Sequence, residues 1–298
     1  MTAISHMGEP AGLMVFRIVC EWLTLAALLL VFGLGAFAAT VARTGIEPRV
    51  LPQRFSTAIR WAALAQLAIL PLVLIAAVAC MARVGPYAAI TLIPKVLHET
   101  HFGHIWIASA PLAALLALTA WSPSRLNRVR AGGLALIGAV LLVLWAASGH
   151  AVDYGRAAIA VYFIHEAAAG LWIGSLAGLW LVAGLGDRVV ESIAPRTSRV
   201  AGWCVATLIL SGTYAGYDAL GLSLDRLLYS SYGRALIWKM GLFAVVVAIG
   251  GYNRCRLIPG LNIASGRQTL LRNVALESVL LVAVLGLAVL LGNTPPPR

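Results

Sequence analysis

The 298-residue chain is 61% hydrophobic and only 11% charged, with a mean hydropathy of +0.90. Soluble domains carry roughly 25% charged residues, so this chain cannot cover itself with a polar surface, and a soluble globular fold is excluded. Its net charge of +11 comes from Lys and Arg in short loops between apolar runs, which is a membrane-topology signal and not a nucleic-acid patch.

The opening residues, MTAISHMGEPAGLM, lack a basic n-region and a small-residue cleavage site. The first apolar run is therefore expected to insert and stay. A helix needs about 20 apolar residues to cross the hydrocarbon core. Eight segments qualify, at 14–39, 57–82, 105–121, 131–149, 157–185, 200–219, 233–252 and 270–292. The third is short and can borrow from the preceding 98–104 segment. Backbone groups in lipid must be satisfied internally, and alternating barrel patterning is absent, so these are helices. No polar stretch is long enough to fold alone. The expected fold is all-α: a polytopic bundle of about eight transmembrane helices forming a single membrane domain over 1–298.

Orientation follows from Lys and Arg. Loops 1, 3, 5 and 7, with the helix ends they join, hold 14 of the 22, from Arg43 to Arg272. The positive-inside rule puts these loops in the cytoplasm. Both termini and loops 2, 4 and 6 are then expected on the outer, periplasmic side. With that orientation no histidine falls in a cytoplasmic loop: His98, His101 and His104 lie at loop 2 and the start of the third span, His150 at the outer end of the fourth, and His165 inside the fifth. At 1.5 Å per residue, His165 sits roughly 13 Å past Arg156.

Imidazole suits copper, zinc, iron and nickel. In LHETHFGH, His98 and His101 are spaced i, i+3 and would share one helix face, with His104 brought in by a bend at Gly103. The alternative is a set of solvated interfacial histidines. A histidine inside an apolar span normally faces a protein interior or a wet cavity, so His165 is either a ligand or a buried ring bonded to a neighbouring polar group. Glu166 projects about 100° away from it and need not pair with it. His150 follows Gly149, and the short connection between the fourth and fifth spans makes their helices neighbours. Sulfur ligands are sparse: Cys20, Cys80 and Met81 lie in the outer half, where the two thiols are metal ligands, a disulfide or small buried hydrophobes. Arg17 and Glu21 are spaced to pair. Lys239 and Glu277 lie inside spans, each either functional or a structural ion-pair partner, and Lys239 is at a depth comparable to His165.

No Walker A motif or aspartyl-phosphorylation site is present, which argues against ATP-driven pumping by this chain alone. Neither GxSxG nor HExxH occurs, and no internal repeat supports an inverted-repeat transporter.

Several motifs together resemble one family. GHA at 149–151 and HEAAAGLWIGSL at 165–176 are similar to the paired histidine motifs of the copper resistance protein D (CopD) family. RTSRVAGWCVATLILSGTYAGY at 196–217, SYGRALIWKMGLFAVVVAIGGYNRCRLIP at 231–259 and the closing LESVLLVAVLGLAVLLGNTPPPR continue the likeness, and THFGHIW at 100–106 adds a segment in the first half. The resemblance covers about 90–298. Thr197 stands where the family often has Phe, and Ser175 where it often has Gly.

The resemblance implies a multi-pass protein of the bacterial inner membrane that binds copper and moves it from periplasm to cytoplasm, often alongside a small periplasmic copper carrier of the CopC type. It carries over His150 and His165, with Trp172 and Lys239 as motif residues and Glu166 beside them. The expected metal-binding set is therefore His98, His101, His104, His150 and His165, with Cys20, Cys80 and Met81 as secondary ligands, in a transporter and not an enzyme. Protons compete for imidazole, so uptake is expected to weaken below about pH 6.5. The alternative is a membrane redox protein, since two histidines on adjacent helices also hold b-type haem. A third reading is a membrane scaffold for the carrier that binds no metal in its core.

Overall fold

A computed structural model describes residues 11–41, 51–149, 155–261 and 264–297. Ten α-helices appear among them: α1 Ala11–Val41, α2 Gln53–Ala82, α3 Pro86–Glu99, α4 His101–Trp121, α5 Arg128–Ser148, α6 Arg156–Val182, α7 Asp187–Leu220, α8 Leu224–Tyr229, α9 Ser231–Tyr252 and α10 Ala264–Gly292. No strand is present among the described residues.

Seven of these helices are long and apolar enough to cross a membrane: α1, α2, α4, α5, α6, α9 and α10, two of them (α6 and α9) with short extensions. The expected span at 200–219 lies within α7, which at 34 residues has the length but not the hydropathy. Ser211, Gly212, Thr213, Tyr214, Gly216, Tyr217 and Asp218 crowd its second half and dilute the apolar run. The chain is an all-α, polytopic membrane protein.

α1 sits at the centre. Leu25, Leu28, Leu29, Val31, Leu34 and Val41 are buried, and the helix packs on α2, α5, α6 and α10. A helix apolar all round is one that neighbours enclose. α1 and α6 cross with their backbones in contact. A Cβ on Gly33 would collide with the Gly170 carbonyl and the Gly174 backbone, and one on Gly178 would strike the Phe37 ring. Gly170, Gly174 and Gly178 recur every four residues along one face of α6. Without a hydrophobic drive between helices in lipid, such small-residue stripes let backbones touch and gain dispersion contacts.

Arginines close the end of the bundle opposite the histidines. Arg130 donates from Nε to Thr119 O and from Nη2 to Ala120 O, both at 2.8 Å, satisfying carbonyls left open at the C-terminus of α4. Arg54 donates from Nε to Leu181 O at 2.8 Å and lies over the Trp180 ring, tying the start of α2 to the end of α6.

The segment expected as loop 2 is itself helical. α3 ends at Glu99, and Thr100 is extended (φ −121°, ψ 150°) while its hydroxyl oxygen accepts from Gly103 N at 2.9 Å as the N-cap of α4. The third span therefore starts at His101 and not at 105.

Candidate metal-handling site

The break at Thr100 corrects the histidine reading. His98 belongs to the last turn of α3 and His101 to the first turn of α4, so the two do not share one helix face. The bend expected at Gly103 falls instead at Thr100. Gly103 serves a different purpose: a Cβ there would collide with the Val96 carbonyl and Leu97, so it is what lets α4 lie against α3.

The rings of His101 and His104 are each held by a backbone carbonyl. His101 Nε2 lies 3.1 Å from Ala147 O, and His104 Nε2 lies 3.1 Å from His98 O. A carbonyl oxygen only accepts, so in each neutral ring Nε2 carries the proton and Nδ1 keeps the lone pair. The three histidines are exposed. Among the described residues no group of three or more His, Cys, Asp or Glu side chains comes together as a metal cage. His150 lies outside the described residues.

His165 is placed by two helices. It projects from α6 toward α7, where its Nδ1 is 2.8 Å from the Ser211 Oγ, and its Cε1 lies against Gly212. The Ser211 hydroxyl donates its single proton back to Thr207 O at 2.6 Å. The Ser211 oxygen must then accept from His165 Nδ1–H. That leaves Nε2 as the lone-pair nitrogen, the atom a metal would take. A ring whose second nitrogen is anchored in this way is the usual arrangement for a metal-binding histidine.

Glu166 and the Lys239 ammonium of α9 lie within electrostatic reach of each other, and Lys239 acts on His165 as well. The structure thus brings His165, Ser211, Glu166 and Lys239 to one level of the bundle. Trp172, two turns further along α6, is fully buried and packs edge-on against Phe243 with ring centroids 6.0 Å apart.

Below Trp172 a cavity of about 180 Å³ is lined by Trp172, Thr197, Gly250, Asn253, Arg254 and Glu277, among others. Of this lining the sequence analysis names Trp172, Thr197 and, inside a span, Glu277. In the fold its buried carboxylate accepts from Asn253 Nδ2, and Asn253 Oδ1 in turn accepts from Asn273 Nδ2 at 2.7 Å. Asn253 opens a π-helical turn, Asn253–Leu257, at the end of α9. Such turns often mark functional positions, and the Asn-Arg pair ahead of Pro259 was the signal in the sequence.

The sulfur ligands do not assemble. None of the four cysteines is in a disulfide, so the disulfide alternative for Cys20 and Cys80 is not formed. Cys20 is buried, Arg17 reaches both Glu21 and Cys80, and Met81 is 53% exposed on the outside of α2. Just beyond it Arg83, in the left-handed region at φ 54°, ends the helix.

These features define a multi-pass helical membrane protein with titratable side chains, a histidine among them, set between its helices. Residues 191–291 match the family described as Copper resistance protein D, and residues 11–159 match Copper resistance protein D-like, N-terminal domain. The chain belongs to the copper resistance protein D family, and the match reaches well before residue 90, where the motif likeness began. It is 30% identical over 216 residues to "Copper transport protein CutJ" of Bacillus subtilis, covering 69% of this chain and 39% of that protein. It is 28% identical over 218 residues to "Copper resistance protein D" of Pseudomonas syringae pv. tomato, covering 66% of this chain and 70% of that one. The chain thus spans about two fifths of the first relative's length. No solved structure matches it. Family and helices together make it a copper-related multi-pass inner-membrane protein.

Proposed function

We propose that this chain binds copper at its histidine-bearing end and passes it into the membrane toward the arginine-rich end, which faces the cytoplasm by the positive-inside rule. The observation that carries this reading is the relay from His165 through Ser211 to Thr207, which leaves Nε2 of an intramembrane imidazole without its proton and free to take an ion. The name of the Bacillus relative, a copper transport protein, supports the direction of thought but belongs to a longer protein.

On this reading His98, His101 and His104 act one at a time and not as a chelating triad. His101 and His104 each present Nδ1 outward, a loose docking rim from which copper moves on, with His150 joining from the neighbouring connection. Imidazole binds copper in either oxidation state. A cation arriving at His165 meets the repulsion of the Lys239 ammonium and is balanced by the Glu166 carboxylate. A small periplasmic carrier of the CopC type would deliver the ion to the rim. The chain works as one membrane domain, since α1 packs on helices of both matched stretches.

The experiment is copper uptake into proteoliposomes, together with copper binding by the purified protein, for wild type, His165→Ala and His165→Gln. Both variants are expected to lose uptake and weaken binding at least tenfold. Unchanged stoichiometry, affinity and uptake would remove His165 from the pathway and the reading with it. An optical spectrum of the same material separates copper handling from the redox alternative, because a reducible Soret band belongs to haem.

A further inference from the structure

Glu277 is a buried acid that the copper path above does not use. It lies on α10, 2% exposed, and among the described residues no cationic side chain pairs with it. Its hydrogen bond runs to Asn253, and the direction of that bond is fixed. Asn253 Oδ1 already accepts from Asn273 Nδ2 at 2.7 Å, so Asn253 offers the carboxyl only its N–H. Glu277 Oε1 must therefore accept. A proton on the carboxyl then sits on Oε2, which faces Gly250: a Cβ there would lie 3.3 Å from that oxygen.

Glu277 and Gly250 both line the cavity of about 180 Å³ beneath Trp172. At 10–15 Å³ for each water, it has room for on the order of ten. Two groups on the lining call for such water. Trp172 is 1% exposed and its Nε1 has no hydrogen-bond partner in the protein, so its N–H is a buried donor without an acceptor. Glu277 Oε2 is an acceptor without a donor among the described residues. Water serves both, and buried polar groups seldom go unpaired. The cavity reaches the arginine-rich end, where the exposed Arg254 lines it and donates from Nη1 to Ser198 O at 3.0 Å.

The charges around Glu277 are few. Arg254 is the only other charged side chain on the lining, and α6 and α7 contribute none. On α6 and α9, Arg156, His165, Glu166, Arg234 and Lys239 all lie on the histidine side of the contact between Trp172 and Phe243. Arg17 and Glu21 of α1 pair with each other at that same far end. Arg256 and Arg272 are exposed, and Arg267 pairs with Asp187. A carboxylate without a cation partner is costly to bury, and taking a proton removes the charge. Acids set inside membrane bundles serve as proton relays.

We propose that Glu277 and the cavity beneath Trp172 form a proton-exchange site open to the arginine-rich side. The Oε2–H bond breaks, its electron pair stays on the carboxylate, and the proton passes to a cavity water and on to the medium; the return step is the reverse. A cation leaving His165 for this end then meets a negative Glu277 whose proton has gone ahead of it. That coupling rests on the copper reading above, whereas the proton site does not.

Infrared difference spectroscopy reads the site through the carbonyl stretch of a neutral carboxylic acid. The full chain is placed in vesicles with its arginine-rich end outward. The expected result is a band that fades as the outer medium is made alkaline, returns on acidification and is missing in Glu277→Gln. Gln keeps an oxygen for the Asn253 N–H, so this variant retains the hydrogen bond. Exchanging the outer water for heavy water should shift the band, and Gly250→Ala, which crowds Oε2, should slow the shift several-fold. Identical difference spectra for wild type and Glu277→Gln would overturn the proton site. An unslowed shift in Gly250→Ala would overturn the cavity as its route.

Vesicles of the opposite orientation, with a pH dye trapped inside in weak buffer, test the link to copper. Copper added outside, on the histidine side, is expected to acidify the interior in wild type and at least fivefold less in Glu277→Gln. Equal acidification would overturn the coupling. A Glu277 band that responds to pH, in a protein that takes up no copper, would sink the copper reading and leave the proton site standing.

Discussion

His165 Nδ1 lies 2.8 Å from the hydroxyl oxygen of Ser211, forty-six residues away on the neighbouring helix. Because Ser211 gives its proton to Thr207 O, this contact decides which nitrogen of the imidazole is free. The tautomer is set by a partner that only the packing of α6 on α7 supplies.

Removing that partner should weaken the metal site without removing the ligand. Ser211→Ala is expected to lower copper affinity roughly 10- to 100-fold, the usual effect of losing an outer-shell partner. Ser211→Thr keeps the hydroxyl and should stay within a few-fold of wild type. Competition against a chromogenic copper chelator measures both.

The α1–α6 crossing should tolerate no side chain. Gly174→Leu places its Cβ in the Gly33 backbone, so the helices must part. Overpacking of this kind costs about 1–3 kcal/mol or more, and the expected result is a clear fall in melting temperature in detergent. Gly132→Ala meets open space and should leave it unchanged.

The Asn253–Glu277 pair should behave as one unit. Each Ala substitution alone strands a buried polar partner, at about 1–3 kcal/mol. The double variant Asn253→Ala/Glu277→Ala is expected to lose less than the sum of the two, by about 0.5–3 kcal/mol. A double-mutant cycle on thermal unfolding checks this, and additive losses would contradict the shared hydrogen bond.

Gly103→Val should act on the histidine rim from a distance. A side chain there pushes α4 from α3, and the His104 Nε2 bond to His98 O spans that joint. Faster amide hydrogen exchange over 96–104 is expected, together with copper uptake reduced several-fold although every histidine is still present.

Acidification should suppress copper capture. A metal needs the imidazole lone pair, and protonation removes it. Uptake at a fixed free-copper concentration is expected to fall as the medium on the histidine side is acidified, and a flat profile would argue against imidazole as the capturing ligand.

Much of the architecture was legible in the chain because lipid imposes it. Runs of about 20 apolar residues have few alternatives to a crossing helix, and seven of the eight expected spans coincide with helices that meet that demand. α7 reads as weaker because its Ser, Thr, Gly and Tyr residues lower its hydropathy, and of these Ser211 and Gly212 meet His165 of α6. α3 was hidden because its 14 residues, between Gly85 and Thr100, are too short to stand out from a loop. His98 and His101 looked paired by spacing alone, since an i, i+3 rule holds only where one helix is unbroken.

The amino-acid sequence by itself determined that this protein must live in a bilayer, where its helices fall and which end collects imidazoles, because hydropathy and charge are local properties of a chain. Only tertiary structure decided which imidazole nitrogen is free, that Glu277 has Asn253 for a partner, and that Trp172 and Glu277 line one cavity. Those outcomes depend on contacts between helices distant in sequence, brought together by backbones close enough to touch at Gly33 and Gly174.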